Sequence, residues 1–408
     1  MAMTGHNLLT RRSFLAAAAG AAAGLAGCSG GGSSVSPTST AVATTSTAGA
    51  VELPDCGRGN ALWQTAIRRG IVYGSSTATW QLADAEYRKL FEREPAILFT
   101  EDDLLWYRLR PTPTSGLDFK YGDRIVEFAE RNGMLLFGAH LVWDQGFGEG
   151  WKETDLHGLD EARARELLFG TLESVVGRYR GRIAGWIVAN EVVDDAGLRT
   201  DTPWYEALGP SYVAEAFRLA HKADPDATLV LNDYGYETDD FFNNAADRRV
   251  AVLEELDALL GADVPVHALG VQAHLHADGF ADGFDAAAYR KFLADVAGRG
   301  LEILITELDV LDDGLPANAG KRDQAVADIY ARYLETALAE PAVSAVMTFG
   351  LADRYTWLEE DYPREDGARR RPLPYDEKLR PKPAYDALKR SLAAAPRRNL
   401  IWTPPRCA

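Results

Sequence analysis

The 408-residue chain is poor in cysteine and methionine, with three and four respectively. Three cysteines cannot build a disulfide-rich scaffold, and none has the spacing of a zinc site. Basic residues are also scarce, with 43 Lys and Arg against 60 Asp and Glu and a formal net charge of −17. Binding to nucleic acid needs a basic footprint on the phosphates, so no nucleic-acid partner is expected. The Ala-rich apolar stretch over 15–27 is too short to span a bilayer. The first strand candidate runs into Gly74-Ser75-Ser76, which lacks the Gly-rich pattern that cradles a dinucleotide phosphate. Against these absences stand nine Trp and sixteen Tyr in a chain that is 47% hydrophobic. Most such rings build cores, but aromatic faces are also what sugars stack on.

The N-terminus reads as addressing rather than fold. Thr10-Arg11-Arg12-Ser13-Phe14-Leu15 resembles a twin-arginine export signal, and Leu25-Ala26-Gly27-Cys28 resembles a lipoprotein box. On this reading residues 1–27 are removed, and lipidated Cys28 becomes the new N-terminus. Residues 28–54 are then the lipidated Cys and a Ser/Thr/Gly-rich linker, of which 29–50 form a flexible tether with a reach of about 25 Å. The alternative is a secretory signal with an incidental cysteine. The expectation is a protein exported by the twin-arginine route, either anchored in the cell envelope or secreted. Its only membrane contact would be the lipid. Cys56 and Cys407 flank the folded part, which is expected to span 55–395 with a C-terminal tail over 396–408. Chain ends often lie close together in a domain. The two cysteines either pair or remain free thiols, and the sequence leaves both open.

From residue 55 short apolar runs alternate with amphipathic segments. Strands are expected over 71–75, 96–100, 135–143, 184–190, 228–232, 268–273, 302–307 and 345–350. These runs are nearly continuous in apolar residues, as parallel strands covered on both faces require. Helical spacing marks 122–132, 159–178, 210–223, 247–260, 285–298 and 324–339. Such alternation predicts the α/β class and a single (β/α)8 TIM barrel. An open doubly wound sheet is second.

In such barrels chemistry sits at the C-terminal strand ends. Strand 4 ends in Asn190-Glu191 and strand 7 in Glu307-Leu308-Asp309. Strand 5 ends in Asn232-Asp233-Tyr234, strand 6 in Gln272-Ala273-His274, and strand 3 carries His140, Trp143 and Asp144. Two glutamates across one barrel mouth suit a glycosidic bond, which needs a proton donor on one side and a nucleophile on the other. One carboxyl must stay protonated and the other ionised. Asn190 is placed to meet a sugar 2-hydroxyl, and His274 with Asp309 to orient and ionise Glu307. A metal held by His274, Glu307 and Asp309 is the weaker reading, since no close His pair accompanies them. No metal or cofactor is expected.

These segments resemble glycoside hydrolase family 10, the retaining endo-β-1,4-xylanases, from about Trp63 to Arg390. The carrying motifs are TrpIleValAlaAsnGlu at 186–191, AsnAspTyr at 232–234, GlnAlaHisLeu at 272–275, IleThrGluLeuAsp at 305–309 and LysProAlaTyr at 382–385. The resemblance implies Glu191 as acid/base and Glu307 as nucleophile, supported by Asn190, His274 and Asp309. It implies sugar contacts from Glu101, Trp143, Asn232, Gln272, Phe349 and Trp357. The implied partner is a polysaccharide or oligosaccharide, acted on by a monomer. Two alternatives are a β-glycoside hydrolase for another substrate and a non-catalytic carbohydrate-binding lipoprotein.

Departures cluster on the glycone side. The family's Glu-Asn-x-x-Lys reads Glu101-Asp102-Asp103-Leu104-Leu105 here. Its Gly-His-Thr-Leu-Val-Trp-His reads Gly138-Ala139-His140-Leu141-Val142-Trp143-Asp144. Phe349 stands for a Trp and Gly235 for an Asn. Strand alternation points neighbours to opposite faces, so His140 is expected to turn away from the space Ala139 vacates. On that expectation the glycone site lacks two polar contacts and its selectivity is loose.

Overall fold

The computed structural model describes residues 56, 58–239 and 243–407. Arg11, Arg12, Cys28 and the tether that follows lie outside the described residues. Eight strands form the barrel: β1 (Val72–Thr77), β2 (Ile97–Thr100), β3 (Leu135–Gly138), β4 (Gly185–Asn190), β5 (Thr228–Asp233), β6 (Ala268–Val271), β7 (Glu302–Leu311) and β8 (Val343–Thr348). Each pairs in parallel with its sequence neighbour, and β8 returns to β1 to close the ring.

The principal helices on the outside are α1 (Ala85–Arg93), α2 (Lys120–Arg131), α3 (Glu161–Arg178), α4 (Tyr212–Ala223), α5 (Ala245–Gly261), α6 (Ala286–Ala297), α7 (Ala319–Ala337) and α8 (Pro383–Ala394). The fold is a single (β/α)8 barrel. The six helical segments read from periodicity correspond to α2–α7, and α1 and α8 are additional. Short polar side chains cap the starts, Asp84 for α1, Asp160 for α3 and Asn244 for α5. Each such cap contributes about 1 kcal/mol.

The strands are buried on both faces, which explains their unbroken apolar runs. Packing inside the ring is close. A Cβ on Gly138 would lie 2.4 Å from the Trp186 ring on the neighbouring strand. Two of the departures from the expected strand boundaries matter for the site. β3 stops at Gly138. A cis peptide joins Ala139 to His140, and the chain meets β4 again from Leu141, whose amide donates to Ile187 O, to Val142, which bridges Ala189. β7 continues to Leu311 because Asp309, Val310 and Leu311 pair with His274–His276 beyond β6.

The segment after α8 runs across the N-terminal end of the barrel. Arg398 donates to the carbonyls of Leu338, Glu340 and Val343, Trp402 to Thr228, and Arg406 to Pro95 and Asn132. A disulfide joins Cys407 to Cys56, the pairing the sequence left open. At the opposite end the loop between β8 and α8 is pinned by buried ion pairs. Lys382 lies 2.7 Å from Asp353, and Arg370 lies 2.9 Å from Asp312. Such pairs are weak evidence for stability but they fix geometry, here that of the loop carrying Trp357.

Candidate active site

The C-terminal ends of β4, β5, β6 and β7 converge on one hydrogen-bonded chain of side chains. Gln272 Nε2 donates to Glu191 Oε1 at 3.0 Å and to Asn190 Oδ1 at 3.3 Å. Asn232 Nδ2 donates to Asn190 Oδ1 at 2.7 Å and to Glu307 Oε1 at 2.8 Å. Three amides therefore bridge the two glutamates, which face one barrel mouth from β4 and β7. Thr306 Oγ1 donates to Asn232 Oδ1 and fixes which way that amide points. Asn190 Nδ2 is buried without a protein acceptor, which leaves a donor in the site.

The backbone also marks this place. Glu191 has φ 55° and Ala273 φ 59°. Left-handed backbone is unfavourable for residues with a Cβ and clusters at functional sites. At Glu191 it is held from both sides. Its amide donates to Asn232 O, and its carbonyl accepts from Arg199 Nη1.

The two carboxyls have different company. Glu191 Oε2 accepts from the indole of Trp143 at 3.2 Å, so both of its oxygens are met by neutral donors. Glu307 faces imidazoles. His274 Nε2 lies 3.2 Å from Oε2, and Asp309 Oδ1 holds His274 Nδ1 at 2.8 Å. Burial alone would lower the His274 pKa, but the Asp309 charge and hydrogen bond raise it to about 9. Burial alone would raise the Glu307 pKa, but the imidazoles of His274 and His140 beside it hold it well below the usual carboxylate range. Trp357 Nε1 donates to Asp309 Oδ2 at 2.8 Å, tying the β8 loop to the same triad. Phe349 stands edge-on to His274 at 5.5 Å.

The structure thus brings Asn190, Glu191, Trp143, Asn232, Gln272, His274, Glu307, Asp309, Phe349 and Trp357 together. Glu101 stands beside them at the end of β2 with partners of its own. Ser76 donates to it at 3.1 Å and Gln81 at 3.2 Å. Desolvation and the Asp102 charge push its pKa up to about 7. Cys28 lies outside the described residues. Among those residues, no group of three or more His, Cys, Asp or Glu side chains is placed to hold a metal ion.

One expectation fails. The His140 ring does not turn away; its Nε2 lies 3.7 Å from Glu307 Oε1, and the residue is 8% exposed. Alternation holds only while the chain stays in the sheet, and β3 has already ended at Gly138. Neither ring nitrogen has a hydrogen-bond partner within the protein.

Arg199 is a residue the sequence reading missed. It comes from the hairpin Val193–Asp194/Gly197–Leu198 and donates to buried Asp144 Oδ2 at 2.9 Å. Its signal was an Arg shortly after the Asn-Glu of β4, with an unpaired acid at Asp144 on the adjacent strand's loop. Another altered position, Asp102, pairs with Arg108 at 3.0 Å.

Comparison with known proteins agrees with the barrel fold. The chain is 31% identical over 327 residues to endo-1,4-beta-xylanase B of Thermotoga neapolitana, covering 78% of this chain and 87% of that one. It is also 31% identical over 296 residues to the exoglucanase XynX of Acetivibrio thermocellus, covering 70% of this chain and 25% of that one. Among solved structures, native xylanase 10B of Thermotoga maritima superposes with a TM-score of 0.72 at 31% identity. That match covers 82% of this chain and 98% of the other. The model of glycosyl hydrolase family 10 matches residues 61–391, and the chain belongs to that family.

Proposed function

We propose that this protein is an endo-β-1,4-xylanase acting by double displacement, with Glu191 as acid/base and Glu307 as nucleophile. The observation that carries the reading is the unequal surroundings of the two carboxyls across one mouth. His274, itself charged through Asp309, keeps Glu307 ionised and able to attack. Glu191 meets the uncharged donors of Trp143 and Gln272 instead of an imidazole, and its place across the mouth from Glu307 suits it to proton transfer.

In the first step Glu191 protonates the glycosidic oxygen while Glu307 attacks the anomeric carbon from the opposite face. The leaving sugar departs and a glycosyl-enzyme ester forms. Glu191, now ionised, takes a proton from water as that water attacks the anomeric carbon and displaces the Glu307 carboxylate. The product keeps the β configuration. The free amide hydrogens of Asn190 serve the 2-hydroxyl next to the reacting carbon. The xylan substrate is supported by the names of the relatives above.

The test is a panel of aryl β-xyloside, xylobioside, cellobioside and glucoside beside soluble xylan. The first product is followed by proton NMR. Xylan and the xylobioside should be cleaved best, with the β anomer appearing first. Preference for the cellobioside would reassign the substrate, and an initial α anomer would overturn the double displacement.

The export reading of Arg11, Arg12 and Cys28 completes the proposal, with the enzyme tethered by lipid outside the cytoplasm. Cys28→Ala should move activity from the membrane fraction to the soluble fraction. Persistence in the membrane fraction would remove the anchor.

A further inference from the structure

All nine tryptophans lie among the described residues, and Trp80 is the one left exposed, at 51%. A single exposed apolar side chain needs no explanation in general. Trp80 differs because its surroundings are rigid and lead into the site. It sits on the loop after β1, at the C-terminal mouth of the barrel. The next residue, Gln81, is fully buried and donates to both oxygens of Glu101. The preceding residue, Thr79, is locked to Asp103 through its amide at 2.8 Å and its hydroxyl at 2.6 Å. Gln81 Oε1 also accepts from Thr77 and from the amide of Ala78. The loop is therefore fixed by side chains on both sides of the one ring it exposes.

The ring itself is braced. Tyr355 meets it at 5.4 Å and 90°. Tyr355 is held by Asp84 through its hydroxyl at 2.9 Å and by Tyr87 at 4.9 Å. It also belongs to the same β8 loop that brings Trp357 to Asp309. An aromatic ring presented without freedom to lose is the kind of surface that binds at low entropic cost.

We infer that Trp80 is the floor of an additional sugar-binding subsite, beyond Glu101 on the glycone side. Its occupant is a further pyranose ring of the same β-linked glycan chain whose reacting sugar lies against Glu307. Continuity selects this occupant, since the β1 loop lies next to β2 in the ring and Gln81, the neighbour of Trp80, holds the Glu101 carboxylate. A pyranose offers an apolar face of axial C–H groups, which an aromatic ring binds by stacking. This inference rests on reading the site as that of a β-glycan hydrolase.

The experiment compares Trp80→Ala, Trp80→Phe and the parent on aryl xylobioside and aryl xylotetraoside. Binding of xylohexaose to Glu307→Gln, with and without Trp80→Ala, is measured by calorimetry. Trp80→Ala should lower kcat/KM on the long glycoside by about three- to tenfold and leave the xylobioside within twofold. Trp80→Phe should restore most of the loss. Xylohexaose affinity should fall by a similar factor. If Trp80→Ala changes both glycosides equally, or neither, and xylohexaose affinity is unchanged, the subsite does not exist. If the parent cleaves neither glycoside and Glu307→Gln binds no xylohexaose, the proposed function has failed, and the stated occupant falls with it.

Discussion

His140 Nε2 stands 3.7 Å from Glu307 Oε1, on the opposite carboxylate oxygen from His274 Nε2 at 3.2 Å. The nucleophile is therefore bracketed by two imidazoles. His274 is committed to Asp309, while both nitrogens of His140 lack hydrogen-bond partners in the protein. A buried polar group in that state costs about 1–3 kcal/mol until something meets it. A sugar hydroxyl placed against Glu307 would meet it. An imidazole therefore stands against Glu307 from position 140 although position 139 is Ala.

This geometry removes one premise of the loose-selectivity expectation, that His140 turns away, and makes a paired prediction. His140→Ala should lower kcat/KM on xylotriose by about 5- to 150-fold, the equivalent of one buried polar contact. Ala139→His should not raise it, because Ala139 is fully buried and the imidazole position is already filled. Steady-state kinetics of the two variants decide the matter. A gain in Ala139→His together with no loss in His140→Ala would show that His140 is idle.

Glu191→Ala should separate substrates by leaving group. Xylo-oligosaccharides need protonation of a poor leaving group and should lose activity by at least about 100-fold. Aryl xylobiosides with activated phenols should lose far less in glycosylation. Azide should then accelerate turnover and give a β-glycosyl azide. Equal losses on both substrates without azide rescue would take Glu191 out of the acid/base role.

Much of the barrel was legible because parallel strands buried on both faces carry continuous apolar runs. The site was legible because polar residues closing such runs, Asn190-Glu191 and Glu307, have few structural reasons to be there. What escaped the reading depended on where hydrogen bonding stops. The orientation of His140 follows from β3 ending at Gly138, and nothing in the apolar run 135–143 announces that end. The extension of β7 to Leu311, which sets Asp309 beside His274, depends on a partner segment 35 residues away in sequence. Arg199 was hidden because its partner Asp144 lies on another loop.

The raised pKa of His274 links stability to pH. Its folded value of about 9 exceeds the unfolded value of about 6.5, so the folded state holds the proton more tightly. The resulting stabilisation is complete below about pH 6.5 and is lost as pH rises through about 9. A shift of that size corresponds to about 3 kcal/mol. His274→Gln should therefore lower Tm most at pH 6, and the gap from the parent should shrink steadily toward pH 9.5. Thermal melts across that range test it, and a gap independent of pH would show that His274 contributes by packing alone.

Cys56 and Cys407 close a loop of 351 residues across the N-terminal end of the barrel, opposite the catalytic mouth. In the chain-entropy view, a link across so long a loop restricts the unfolded chain strongly. The native tail is also held independently, through Arg398, Trp402 and Arg406. Removing the link should therefore destabilise the fold without undocking the tail. Cys56→Ser with Cys407→Ser should reduce unfolding free energy by about 2–4 kcal/mol. It should leave kcat/KM on aryl xylobioside within twofold at 25 °C, since no residue of the site touches either cysteine. The parent under reducing agent should match the double variant in denaturant midpoint. A large loss of kcat/KM at full folding would mean that the base of the barrel is coupled to its mouth. An unchanged midpoint would mean that the tail's hydrogen bonds alone hold the chain ends together.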